Sequence, residues 1–104
     1  MKRDDCRLPA FLKRYFWDVR FEGLEYTRSR VFVMERLLEY GDPQAVHWMQ
    51  RRYEPKAIQQ VIKRSRALSA RSANFWAWRY HVDQHEVRCL SKRFLRRRAQ
   101  HWFV

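Results

Sequence analysis

Two glycines and three prolines are all that this chain of 104 residues offers for sharp reversals of direction. A sandwich or barrel needs a turn about every ten residues, and glycine and proline are the residues that form most such turns. So few of them points to helices joined by short connections. The chain is 46% hydrophobic and 16% aromatic, a composition that argues against a disordered chain. A chain of this length can bury roughly two-thirds of its unfolded surface and forms one domain. The expectation is an all-α fold: a single compact orthogonal bundle of five to six short helices over residues 1–104, with a basic tail from about residue 91.

Apolar periodicity and helix-boundary residues locate the helices. Pro9 opens a helix over 9–17, with Phe11, Leu12, Tyr15 and Phe16 at helical spacing. Gly23 marks a loop over 18–25. A helix over 27–40 carries Val31, Met34, Leu37 and Leu38 as its stripe, and Gly41 follows as a C′ stop. Asp42-Pro43 reads as N-cap and N1 of the next helix, "PQAVHWMQRRY", which has Val46, Met49 and Tyr53 on one side. Pro55 opens "PKAIQQVIKRSRAL", with Ile58, Val61, Ile62 and Ser65 inward and Lys56, Gln59, Gln60, Lys63 and Arg66 outward. Ser69 caps a helix over 70–81, in which Trp76 and Tyr80 face inward, Arg71 and Asn74 outward, and Trp78 sits at the boundary. A short helix runs over 83–90, and the tail is helical through residue 99. No internal repeat appears.

The net charge of +12 is unevenly spread. Residues 1–42 hold nine Lys/Arg against eight Asp/Glu, whereas residues 43–104 hold fourteen against three. Eighteen of the 23 cations are arginine, whose planar fork binds carboxylate or phosphate through two hydrogen bonds. Such a surface calls for an acidic partner. The start of the chain has no apolar core of a signal peptide, and the longest hydrophobic runs span four residues, far short of the ~20 that cross a bilayer. A cytoplasmic protein, with no membrane partner and with Cys6 and Cys89 reduced, is expected.

Catalytic signatures are missing. Two isolated glycines cannot form a phosphate-wrapping loop, and no GxSxG, HExxH or kinase pattern occurs. The paired acids of the first half read as solvated helix faces, so no enzyme activity is expected and no cofactor is called for. His81, His85 and Cys89 fall at i, i+4 and i+8, a spacing suited to zinc on one continuous helix. The helix start at Asp83 breaks that line, so no metal is expected.

Binding has more support. A helix over 55–66, a turn at 67–69 and a helix over 70–81 have the outline of a helix-turn-helix. Arg71, Asn74 and Trp78 share one face of the second helix, where Arg can read guanine and Asn adenine. Lys63, Arg64 and Arg66 would meet phosphates, joined by Arg93, Arg96, Arg97 and Arg98 of the tail. The same aromatic and arginine side chains are those enriched at the energetic centres of protein interfaces. Both readings use one basic, aromatic surface.

The order "RYFWD", "VFVMERLLEYGD", "AVHWM", "RRY", "SRALSARSANFWA", then "CL" and "HW", resembles a family of small bacterial proteins known only as a domain of unknown function. The resemblance covers about 14–103, and "ERLLEYGD" and "SRALSARSANFW" are its most specific segments. Members of that family are often encoded beside abortive-infection-type nucleotidyltransferase toxins. The resemblance therefore implies an antitoxin-like protein that pairs with and neutralises a cognate toxin. The alternative is a regulator that binds operator DNA or RNA through the same face.

Overall fold

The computed structural model describes residues 6–91. Among them are four α-helices and no strand: α1 (Arg30–Tyr40), α2 (Pro43–Arg52), α3 (Pro55–Arg64) and α4 (Ala70–Arg79). Short 3₁₀ turns cover Ala10–Tyr15, Phe21–Gly23, Gln84–Glu86 and Arg88–Leu90. The all-α expectation holds for the described residues. Two compact units divide the chain, Met1–Arg52 and Tyr53–Val104.

In the first unit, the helix expected over 9–17 is a six-residue 3₁₀ turn. Pro9 is extended at φ −61°, ψ 148°, and its carbonyl accepts from the Leu12 amide at 3.0 Å. A 3₁₀ turn brings residues i and i+3 into line, so Leu12 and Tyr15 share the inward edge. Phe11, expected on an apolar stripe, is left 40% exposed. The loop expected over 18–25 contains the turn Phe21–Gly23. Tyr26 N–H donates to the Cys6 carbonyl at 2.9 Å, and an isolated bridge joins Arg7 to Glu25.

Helix α1 starts three residues later than expected. It buries Val33, Met34, Leu37 and Leu38. Val31, assigned to the inner stripe, lies two residues before Val33, which on a helix is about 200° around the axis, and it is exposed. Arg36 points back from α1 onto the first turn. Its guanidinium donates to the Tyr15 carbonyl at 3.0 Å and to Asp18 Oδ2 at 2.7 Å. It also lies 4.7 Å from the Phe32 ring centroid and 4.8 Å from that of Trp17. The hydrogen bond from Arg36 holds the Asp18 carboxyl below its ordinary value.

Gly41 ends α1, but not in the left-handed conformation that a C′ glycine usually supplies. Its φ of −66° and ψ of 143° are open to any residue. The requirement is steric: a Cβ here would stand 2.6 Å from the Leu37 carbonyl oxygen. The Asp42-Pro43 boundary is as expected. Asp42 Oδ1 accepts from the Ala45 amide at 2.9 Å, and this bond is the main reason that the Asp42 carboxyl titrates below its ordinary value. The Asp42 amide donates to Tyr15 Oη at 3.1 Å, tying the first turn to the α1–α2 corner. Helix α2 buries Ala45 and Met49, while Val46 is half-buried.

The second unit is built on α3, which has Pro55 in its first turn and Ile58, Val61 and Ile62 buried. It ends at Arg64, not 66 or 68. Ser65 turns extended at ψ 143° and is buried as expected. Its carbonyl accepts from Cys89 Sγ at 3.1 Å and its hydroxyl accepts from the Ala67 amide at 3.0 Å. Gln59, expected to face out, is half-buried because its amide donates to the Tyr80 carbonyl at 2.9 Å, joining α3 to the end of α4. Ser69 caps α4, its side chain accepting from the Ser72 amide at 3.1 Å.

Helix α4 ends two residues before the expected boundary because the chain reverses there. His81 adopts φ 57°. Its amide bonds to the Trp78 carbonyl at 3.3 Å, and the Val82 amide to that of Ala77 at 2.8 Å. This bond pair is a Schellman motif with histidine at the position that glycine usually holds. The helix expected over 83–90 is two 3₁₀ turns, the first capped by Asp83, whose carboxylate accepts from the His85 amide at 2.9 Å. The Arg88–Leu90 turn packs against α3 and α4 and buries Cys89.

Candidate binding face on the fourth helix

Alanine at positions 73 and 77, with Trp76 between, makes the inward side of α4, and Tyr80 continues it. Small residues let the helix approach its neighbours closely while one large ring fills the space beside them. The opposite side carries Arg71, Asn74, Phe75 and Trp78, at i, i+3, i+4 and i+7, and all four are exposed. Trp76 and Tyr80 are inside and Arg71 and Asn74 outside, as expected. Trp78 is not at the boundary: it is 71% exposed, because the inward arc of this helix is already filled by Ala73, Trp76 and Ala77.

Phe75, not among the expected binding residues, is 50% exposed and completes an aromatic strip. Its ring stands edge-on to buried Trp76 at 4.9 Å between centroids and 6.2 Å from Trp78. The strip is thus seated on the core at one end and reaches solvent at the other. Helix α4 contains no acidic residue, and Arg79 stacks over the Tyr80 ring at 5.5 Å. Asn74 is not wholly free to read a base edge, since its carbonyl accepts a hydrogen bond from the Gln84 amide.

The other expected contacts leave from different elements. Lys63 and Arg64 stand in the last turn of α3, and Arg66 in the segment leading to Ser69. Lys63 pairs with Glu86 at 3.2 Å. Arg64 and Arg66 are exposed. Arg93, Arg96, Arg97 and Arg98, with the tail they belong to, lie outside the described residues. The turn at His81 and the 3₁₀ turns after it break the line of His81, His85 and Cys89. His81 and His85 are exposed, while the Cys89 thiol is buried on the Ser65 carbonyl. Among the described residues no group of three or more His, Cys, Asp or Glu is placed to hold a metal ion, and no helix is long and apolar enough to cross a membrane.

No curated protein and no solved structure matches the chain. Residues 11–62 match DUF6922, a family of unknown function. This stretch runs from the first 3₁₀ turn through α1 and α2 to most of α3. It includes "ERLLEYGD" and stops short of "SRALSARSANFW", so it is narrower than the resemblance over 14–103. By that match, half of its length, the chain belongs to the family of unknown function DUF6922.

Proposed function

We propose that this chain is a binding protein, not an enzyme, and that the outward face of α4 docks on the acidic cleft of a nucleotidyltransferase-type toxin and neutralises it. The observation that carries the reading is Trp78, 71% exposed beside half-exposed Phe75 on a helix held at both ends. Single exposed aromatics are ordinary on protein surfaces. Two adjacent rings on a rigid helix, flanked by arginine and without a carboxylate, are the composition of an interface centre. Such a toxin's cleft carries metal-binding carboxylates, to which Arg71 and Arg79 are complementary in charge. The likeness to proteins encoded beside toxins of this kind supplies the partner, and α4 supplies the chemistry.

The test is co-expression with the product of the neighbouring gene, followed by co-purification and a toxin assay. The wild-type chain should co-purify and silence the toxin. Trp78→Ala should weaken the complex by roughly 30-fold or more, as for an interface centre worth at least about 2 kcal/mol. Its folding stability should stay within about 0.5 kcal/mol of wild type, as for other exposed sites. A pair that neither associates nor silences the toxin sinks the proposal.

A second reading rests on Arg71, Asn74 and Trp78 sharing the outward face of the second of two joined helices. In that reading the face binds operator DNA or RNA. Salt separates the two. Engagement of six or more phosphates lowers affinity by on the order of 10³ between 50 and 200 mM salt. Aromatic docking on a protein falls far less.

A further inference from the structure

The first unit holds a pocket of ≈ 380 Å³ lined by Phe11, Gln44, His47, Trp48, Arg51 and Arg52. That volume is in the range of small-molecule sites. Five of its residues come from α2, at i, i+3, i+4, i+7 and i+8, on a face that flanks the buried Ala45 and Met49. The 3₁₀ turn of residues 10–15 contributes Phe11, whose ring faces outward because Leu12 and Tyr15 take the inward edge.

The lining is chemically consistent. It has two arginines, one imidazole, two aromatic rings and an amide, and no carboxylate. The Arg52 guanidinium is fixed between rings, 4.7 Å from the Tyr26 centroid and 5.8 Å from that of Trp48. Stacking holds the face of a guanidinium and leaves its N–H edge for an anion. Neither Arg51 nor Arg52 forms an ion pair with a carboxylate among the described residues. Cations in the last turn of a helix also complement its dipole, but that role is met by any cation in the turn. It does not call for two aromatic side chains and an imidazole along the same pocket wall.

We propose that this pocket binds a nucleoside 5′-phosphate. Arg51 and Arg52 take the phosphate, Trp48 stacks on the base, and the Gln44 amide offers a donor and an acceptor to the base edge. The site uses no residue of α4 and stands independently of the toxin reading. The phosphate can arrive on a free nucleotide or at the 5′ end of a single-stranded RNA, and both present the same group.

Calorimetric titration of the full-length protein with AMP, GMP, CMP and UMP tests this, alongside adenosine, inorganic phosphate, and a short oligoribonucleotide with and without its 5′-phosphate. Saturable binding is expected for a nucleotide or for the 5′-phosphorylated oligonucleotide, at least about tenfold tighter than for adenosine or phosphate alone, since ring and anion are both engaged. Tighter binding of the free nucleotide assigns that source, and tighter binding of the oligonucleotide assigns the RNA end. Arg51→Ala should weaken binding at least about tenfold, the loss of a charge-assisted hydrogen bond, with Arg51→Lys between it and wild type. Lys56→Ala, removing an exposed cation of α3, serves as the charge control and should leave binding unchanged. In a ¹H–¹⁵N spectrum the Trp48 indole signal should shift on binding. The proposal is overturned if neither ligand class binds saturably, if Arg51→Ala binds like wild type, or if the Trp48 signal stays still.

Discussion

Gly41 and Arg36 show how single positions set the first unit. Gly41 does not supply a rare backbone angle; it makes room for the Leu37 carbonyl, which a Cβ would approach to 2.6 Å. Gly41→Ala should therefore destabilise the protein by roughly 1–3 kcal/mol, the cost of forcing an atom into packed structure. Gly41→Asn should be at least as harmful. At a left-handed C′ position asparagine would be tolerated, so denaturant unfolding of the two variants separates the causes. Full stability in Gly41→Asn would contradict the steric account. Glycine after a helix was legible in the sequence; its reason was not, because the clash depends on where the chain goes next. Arg36, one residue after Glu35 and three before Glu39, carries no sequence signal beyond a cation between two acids. Its stacking on Phe32 is an i, i+4 contact within α1, but its stacking on Trp17 and its bonds to Tyr15 and Asp18 span 18 to 21 positions, beyond any local pattern.

At the scale of elements, capping residues were read well and helix lengths less well. Asp42 and Ser69 cap α2 and α4 because a short polar side chain beside a helix start has a local partner. The ends of α3 and α4 were set by contacts from elsewhere. Ser65 leaves α3 with its carbonyl bonded to Cys89, and His81 takes a positive φ with Val82 buried behind it. A left-handed residue with a Cβ costs about 1–2 kcal/mol. His81→Gly should raise stability by about 1 kcal/mol, and β-branched His81→Val should lower it by a similar amount. Chemical denaturation measures both, and equal stability in the two variants would refute the Schellman assignment. Helix α2 shows a different gap. Met49 was legible as inward, whereas Ala45 was not, and His47, Trp48, Arg51 and Arg52 were not legible as a group. Their spacing of i, i+1, i+4 and i+5 was the available signal; Phe11 lies 36 or more positions away.

At the scale of the molecule, charge divides the chain. In the first unit Asp18 pairs with Arg36, Glu22 with Lys13 and Glu25 with Arg28. Described residues 53–91 hold seven Lys/Arg against three Asp/Glu, and Lys63 pairs with Glu86. The pairing has a consequence for acid stability. Asp18 and Asp42 lie below their ordinary 3.8, through the Arg36 hydrogen bond and the Ala45 amide respectively. Glu22 lies below its ordinary 4.5, first through its own backbone amide and then through Lys13. A carboxyl that titrates lower in the folded state binds fewer protons there than in the unfolded state, so acid favours unfolding. The stabilisation is complete above the ordinary values and is lost as pH falls through the lower folded ones. The melting temperature should be level above about pH 5 and decline below pH 4, less steeply in the double variant Asp18→Asn, Asp42→Asn. Because all three carboxyls are solvent-facing, salt should flatten the profile. A melting temperature that rises below pH 4 would contradict the assignment.

Scarce turn formers, apolar spacing and short polar caps determined by themselves that this chain is helical and where most helices begin, because each of those effects acts within a few residues. Tertiary structure alone decided that Trp78 faces solvent at 71%, that Lys63 is paired, and that an arginine-rich wall of α2 meets an aromatic ring from the first turn. These outcomes depend on which side of a helix its distant neighbours already occupy, and that is settled only when the elements pack.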